Sequence, residues 1–237
     1  MRLSKSKINT YLKCPFEFKL QYVDEIESEP NEYMIIGSNI HKIAEIFVEK
    51  FKDDINDIDI EDELLKIAHE KQIEESIIYH VINLKAFFED IFVDNNYKLF
   101  SFEEYLLDEE NRFSGICDII LEDENGDLVI VDYKTTNSRN FSRYRLELSY
   151  YKLLVENVCK RRISKVGIFF TDNAKLRLLD VEDIDYKYKY LSNAEIDEAI
   201  RIFRMVRRNV NSGYFPVKKQ FLCRLCTYKE YCDELLK

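Results

Sequence analysis

Apolar positions recur along this chain with two different periods, and the changeover organises it. Ser4 can cap a short helix that runs to about Lys13. Residues 38–51 (SNIHKIAEIFVEKF) follow the helical period, with Ile40, Ile43, Ala44, Phe47 and Phe51 on one stripe. Residues 61–95 predict two more helices, holding Leu64, Leu65, Ile67 and Ala68, then Ile82, Phe87, Ile91 and Phe92. The pattern then changes to three strands, 97–108, 112–121 and 127–134, rich in Phe, Tyr, Ile, Leu and Val. A helix over 143–158 follows, with Leu146, Tyr150, Leu153 and Leu154 on one side. KVGIFFT, 165–171, reads as a buried strand, and 175–181 can pair with it. A long helix over 192–210 leads to a Gly-Tyr-Phe-Pro break and a Cys-rich tail. With no internal repeat and no flexible linker, this order predicts one α/β domain over 1–237, with a helical insertion or cap at 52–96.

Composition adds exclusions. The chain is 46% hydrophobic and 34% charged with 5 Gly and 3 Pro, which rules out collagen-like, low-complexity and wholly disordered classes. No apolar run approaches the ~18 residues that span a bilayer, and MRLSKSKINTYLKC lacks a signal-peptide core. The expectation is a cytoplasmic protein with no membrane partner.

Charge is more informative. A net charge of −10 argues against a basic DNA-coating protein, so any nucleic-acid site must be local. Residues 160–237 hold 17 basic and 11 acidic side chains, against 18 and 34 in the first 159. The densest acidic stretch, DDINDIDIEDE at 53–63, reads as a solvated loop entering a helix. Arg201, Arg204 and Arg208 fall at i, i+3, i+7, with Tyr214, Phe215 and Phe221 nearby. They are candidate DNA-binding residues, although the spacing fits a solvated helix face equally well.

The richest chemistry lies in FSGICDIILEDENGDLVIVDYKTT, 113–136. Asp118 and Asp132 each sit in an otherwise apolar run, and burying an unpartnered carboxylate costs several kcal/mol. Strand alternation puts Asp132 and Lys134 on one face and Tyr133 on the other. A two-residue turn at Asn125-Gly126 would point the two acids apart. A three-residue loop of Glu124, Asn125 and Gly126, with Gly126 left-handed, sets Asp118 against Asp132 instead. The functional reading therefore predicts the longer loop. Acids so paired can hold Mg²⁺ or Mn²⁺, which activates water against a phosphodiester, with Lys134 stabilising the developing charge.

Gly115-x-x-Asp118 followed by Asp132-Tyr133-Lys134 resembles the PD-(D/E)xK nucleases, in particular their RecB-like branch. LSKSKINTYLKCPFEFKLQYV looks like the N-terminal segment of that branch, and GSNIHKIAEIF like its helix with a metal-binding His. The resemblance spans 3–50, 103–155 and 212–233. It implies a restriction-endonuclease-like core, a mixed β-sheet flanked by helices. It also implies that His41 and the Tyr133 carbonyl join Asp118 and Asp132 as metal ligands. The branch carries Q-L-x-x-Y after the lysine, where this chain has Glu147-Leu148-Ser149-Tyr150-Tyr151. Tyr151 matches as a DNA contact, whereas Glu147 replaces an amide with a group that only accepts hydrogen bonds.

Three of the six cysteines read C-x2-C-x5-C, at Cys223, Cys226 and Cys232, and Cys14 opens a Cys-Pro far away. Zinc could use four thiolates, but its common signature has two short knuckles. One distant and three clustered cysteines resemble RecB-like nucleases with a 4Fe–4S cluster, which would staple residue 14 to 212–237. Cys117 and Cys159 read as small buried hydrophobes. The resemblance implies a metal-dependent DNA exonuclease at single-stranded ends, similar to the CRISPR-associated exonucleases that trim DNA before spacer integration, with the integrase complex as partner. The rivals are a general RecB-like repair nuclease and a module that binds DNA ends without cutting.

Overall fold

The computed structural model describes residues 1–95, 97–181 and 191–235. Asn96 and residues 236–237, at the ends of two predicted segments, lie outside the described residues.

Ser4 accepts the Lys7 N–H and starts α1 (Lys5–Lys13) directly after a two-residue strand, β1 (Leu3–Ser4). Cys14 then breaks the chain, and Pro15, fixed at a helical φ, opens α2 (Pro15–Tyr22). Neither β1 nor α2 was expected from periodicity. Three helices follow, α3 (Glu32–Phe51), α4 (Ile60–Glu70) and α5 (Ile78–Phe88), the last continuing as a π-helical stretch to Asp94. The predicted strands are β2 (Lys98–Asp108), β3 (Phe113–Glu122) and β4 (Leu128–Lys134). After them come α6 (Arg145–Cys159), β5 (Ile163–Phe170), β6 (Lys175–Asp180), α7 (Asn193–Asn211) and α8 (Lys229–Leu235).

The strands form one mixed sheet. β3 pairs antiparallel with β2 and β4, α6 carries the crossover to β5, parallel to β4, and β6 returns antiparallel. Alternation sends the strands' apolar residues into two cores. Ile120, Ile130, Val166 and Ile168 pack beneath α1, α6 and α7. Ile119, Val129, Val131 and Phe169 pack against α3, α4 and α5. The mixed α/β architecture is thus the one anticipated, a sheet between two helical layers.

The segment read as a helical insertion or cap packs, over residues 52–95, into the second core. Leu64, Phe87 and Phe88 are fully buried in the second core, and Asn83 Nδ2 donates to the Thr171 carbonyl after β5 at 2.8 Å. Burying such a Phe stabilises the fold by about 2–3 kcal/mol. These helices are part of the layer that covers the sheet. Their period revealed an apolar stripe but not the surface that it meets.

Candidate active site

β3 carries β2 along one edge, while two other strands share its opposite edge. β1 takes one end through Leu3–Phe113 and Ser4–Ser114, and β4 takes the other from Ile119–Val131 to Glu122–Leu128. Residues 115–118 have no strand partner there, and a cleft of about 590 Å³ opens in the gap. At Gly115 an added Cβ would stand 3.0 Å from Leu154 Cδ2, so a side chain there would press on the buried core behind the cleft.

The β3–β4 hairpin has the predicted three-residue loop. Asp123 N–H bonds to the Asp127 carbonyl, and Gly126 takes φ +80°. Its register, extended one step past Ile119–Val131, sets Asp118 beside Asp132. There the ladder gives way to a side chain, as Asp118 Oδ2 accepts the Tyr133 N–H at 2.7 Å. Across the other edge, Glu103 lies between the pairs Phe102–Ile119 and Glu104–Cys117, and so faces Asp118. Its φ of 45° is left-handed, a conformation that costs a non-glycine residue about 1–2 kcal/mol.

α3 brings His41 to the same point. His41 Nδ1 stands 3.4 Å from Asp118 Oδ1 and 3.6 Å from Glu103 Oε1, and Nε2 lies 3.2 Å from the Tyr133 carbonyl. One ligand atom from each of His41, Glu103 and Asp118 lies within 4.8 Å of the others. Glu103 Oε1 is buried and accepts no hydrogen bond. An imidazole, two carboxylates and a nearby carbonyl are the donor set of a Mg²⁺ or Mn²⁺ site, so the residues fit such an ion. Glu103 escaped the sequence reading, because nothing in FEEYLL distinguishes it from Glu104.

Burial alone would disfavour the His41 imidazolium, but Asp118, Glu103 and Asp132 outweigh it and push His41 up to about 10. Since the ordinary value is 6.5, the fold holds this proton more tightly than the unfolded chain does. The resulting stability of the metal-free protein is complete below about pH 6.5 and is lost as pH rises through about 10. In EDTA, the Tm gap between wild type and His41→Asn should therefore be widest near pH 6 and close toward pH 10. A gap that grew with pH would show that the carboxylates do not hold the proton.

Asp132 stands apart from that group. It is 2% exposed, and its two oxygens are taken by opposite partners. Oδ1 accepts from the Tyr151 hydroxyl at 2.7 Å and meets Lys5 Nζ at 3.3 Å, while Oδ2 pairs with Lys134. Glu147 Oε1 joins both ammonium groups, at 2.5 Å from Lys5 and 2.9 Å from Lys134. Two carboxylates and two lysines thus close into a ring. Burial opposes ionisation of Asp132, yet Lys134 and Lys5 hold its carboxyl well below the usual range. Burial likewise opposes the Lys134 ammonium, but Asp132 and Glu147 keep it charged far above neutral pH. Lys5 could not be found from the sequence, because the pairing of β1 with β3 is what carries it here.

Tyr151, expected to contact DNA, is 4% exposed, and its hydroxyl is engaged by Asp132 and Lys5. The arginines of α7 are not brought to the cleft. Arg204 and Arg208 line a separate hollow with Arg207, and Arg201 pairs with Glu198 at 2.8 Å on the exposed face. Only the inner stripe of α7, with Ile196, Ala199 and Val206, packs on the domain.

Cys14, Cys223, Cys226 and Cys232 line a single hollow between α2 and the C-terminal tail. Burial pushes the Cys226 and Cys232 thiols up, and Cys14 adds to this at both. The tail is also held by the Gln220 side chain to the Lys13 carbonyl, 3.2 Å, and by Tyr228 Oη to the Ile26 carbonyl, 3.1 Å. Four soft thiol donors around one hollow fit an iron–sulfur cluster or zinc. Cys117 is fully buried, and Cys159 is partly so. No helix among the described residues is long and apolar enough to cross a membrane.

A family model described as the PD-(D/E)XK nuclease superfamily matches residues 2–233. The fold is similar to a crystal structure described as a proposed exonuclease from Eubacterium rectale. The TM-score is 0.54 and the identity 15%, over 96% of this chain and 87% of that one. The crystal structure of SSO0001 is also similar, at a TM-score of 0.40 and 13% identity, over 86% of this chain and 98% of that one. No curated protein matches the chain.

Proposed function

The chain belongs to the PD-(D/E)XK nuclease superfamily, and from that premise we propose that it is a metal-dependent DNA exonuclease acting at single-stranded ends. One observation carries the reading: His41, Glu103 and Asp118 meet in the same cleft as the Asp132–Lys134 pair. His41, Glu103, Asp118 and the Tyr133 carbonyl would hold the ion, with Asp132 in the same cleft as a further carboxylate ligand. When bound, the ion supplies an activated water and neutralises charge on the phosphodiester. Asp118 is fixed for this by the Tyr133 N–H, and His41 by the Tyr133 carbonyl. Lys134, held between Asp132 and Glu147, presents a positive charge to the developing oxyanion.

The cleft wall supports a single strand as substrate. Tyr105 and Ile116 are direct cross-strand partners, 56% and 50% exposed, and both line the cleft. Paired apolar groups lining the cleft beside Arg2, Lys5 and Lys7 offer unpaired bases a stacking surface, which a duplex has no bases free to use. We further propose that the four cysteines hold a 4Fe–4S cluster with a structural role, since hydrolysis needs no redox step. Of the possible pathways we favour trimming of DNA ends before spacer integration, with the integrase complex as partner, on the resemblance of the chain's size and four-cysteine pattern to the CRISPR-associated exonucleases.

The test is cleavage of end-labelled single- and double-stranded DNA in Mg²⁺, Mn²⁺ or EDTA by anaerobically purified protein, with iron, sulfide and zinc quantified beforehand. Metal-dependent shortening of single strands is the expected result. Binding without cutting in any metal would favour the end-binding module, and zinc without iron would remove the cluster. Glu103→Gln is expected to weaken Mn²⁺ binding by at least about tenfold in calorimetry, because it removes one donor charge from the group. An unchanged Mn²⁺ affinity would exclude Glu103 from the ligand set.

A further inference from the structure

The cleft contains a second ammonium group that the reaction described above does not use. Lys5 Nζ lies 2.5 Å from Glu147 Oε1, 2.5 Å from Tyr151 Oη and 3.3 Å from Asp132 Oδ1, and 4.4 Å from the centroid of the Tyr151 ring. Its side chain is 17% exposed, and it lines the cleft. We propose that Lys5 binds a phosphate of the DNA strand and that Glu147 is its positioning residue, an inference that rests on the nuclease reading.

The charge arrangement supports this assignment. Asp132 already has one cation in Lys134, so a neutral side chain at 147 would leave the pair balanced. Glu147 adds a negative charge that is 8% exposed, and Lys5 compensates it. Together the two residues add no net charge, yet they fix an ammonium at the cleft floor. Compensation alone does not require that ammonium to face the cleft, beside Arg2, Ser4, Ser6 and Lys7. Those side chains supply two more cations and two hydroxyls along the wall contributed by the N-terminal segment, which suits a phosphate track.

The contacts also show which one can be exchanged. An ammonium has three donors, and Lys5 has three oxygen partners. The Asp132 contact is the longest of them, and Asp132 keeps Tyr151 and Lys134 without it. Replacing that one partner by a phosphate oxygen leaves Lys5 anchored by Glu147 and Tyr151. A free lysine would have to be ordered from solution, whereas this one is already in place.

The experiment measures binding of labelled oligothymidylate in EDTA, by anisotropy across a salt series, so that no cleavage intervenes. Lys5→Gln is expected to weaken binding about tenfold and to reduce the slope of log Kd against log salt by about 0.7, one phosphate contact on a single strand. Glu147→Gln should keep the wild-type slope, because Lys5 stays charged, but weaken binding about three- to tenfold, because the ammonium loses the carboxylate that places it. Wild-type affinity in that variant would remove the positioning role. The double variant Lys5→Gln/Glu147→Gln keeps the wild-type net charge, so it decides the matter even if the single Lys5 variant folds poorly. A reduced slope in the double variant supports the proposal. Wild-type affinity and slope in the double variant would mean that Lys5 only compensates Glu147, and the proposal falls. DNA bound but never cut by wild-type protein would remove the nuclease reading while leaving this slope test decisive; wild-type protein that binds no DNA would overturn both.

Discussion

Asp118→Asn protein is expected to cleave DNA more than about 1,000-fold more slowly than wild type, with its fold intact. The substitution removes the negative charge that the ion needs, and loss of a catalytic cation forfeits several kcal/mol of transition-state stabilisation. The structural role of the residue survives the change. Asp118 Oδ2 serves the fold by accepting the Tyr133 N–H, and an amide oxygen can accept that bond too, though more weakly. Asn is also no larger than Asp, so His41 is not crowded. Circular dichroism should match wild type and DNA binding in EDTA should be retained, with a modest loss of Tm at neutral pH because His41 loses its principal counter-charge. Residual cleavage within tenfold of wild type would mean that the ion, if any, is held elsewhere.

Much of that site was legible in the sequence, for a definite reason. Two acids in apolar strands call for a common partner, and only one loop length lets them meet. The chemistry therefore dictated the hairpin, and the backbone has Gly126 left-handed in a loop of that length. His41 entered through resemblance, and α3 does carry it to Asp118. What escaped was long-range or conformational. Glu103 reaches the group through a left-handed backbone in β2, which no side-chain pattern announces. Lys5 depends on a two-residue parallel pairing with a strand more than a hundred positions away. The arginines of α7 lie away from the cleft, since a stripe at i, i+3, i+7 specifies a helix face but not what that face meets. The Glu147 departure from the branch pattern was visible, yet its meaning required Lys5.

Lys134→Gln is expected to lower kcat by about 100- to 1,000-fold while DNA affinity changes only a few-fold, the loss associated with one donor aimed at a developing oxyanion. The ring of charges decides between two roles for this lysine. A general base must release its own proton near neutral pH before it can take one from water. Asp132 and Glu147, against the opposing effect of burial, keep Lys134 protonated far above that range. On the proposed function Lys134 would serve as a fixed cation, oriented by two carboxylates and with the Tyr144 ring 5.8 Å from its nitrogen. Gln keeps an N–H donor, one bond shorter in reach, but carries no charge, so the fall should lie in kcat. The pH–rate profile of wild-type protein should accordingly show no ionisation that disappears in the variant. If it does show one near neutral pH, Lys134 exchanges its proton during turnover and the fixed-cation role is wrong. The same substitution leaves Asp132 and Glu147 with Lys5 as their one remaining cation, so some loss of Tm is also expected, larger than in Asp118→Asn.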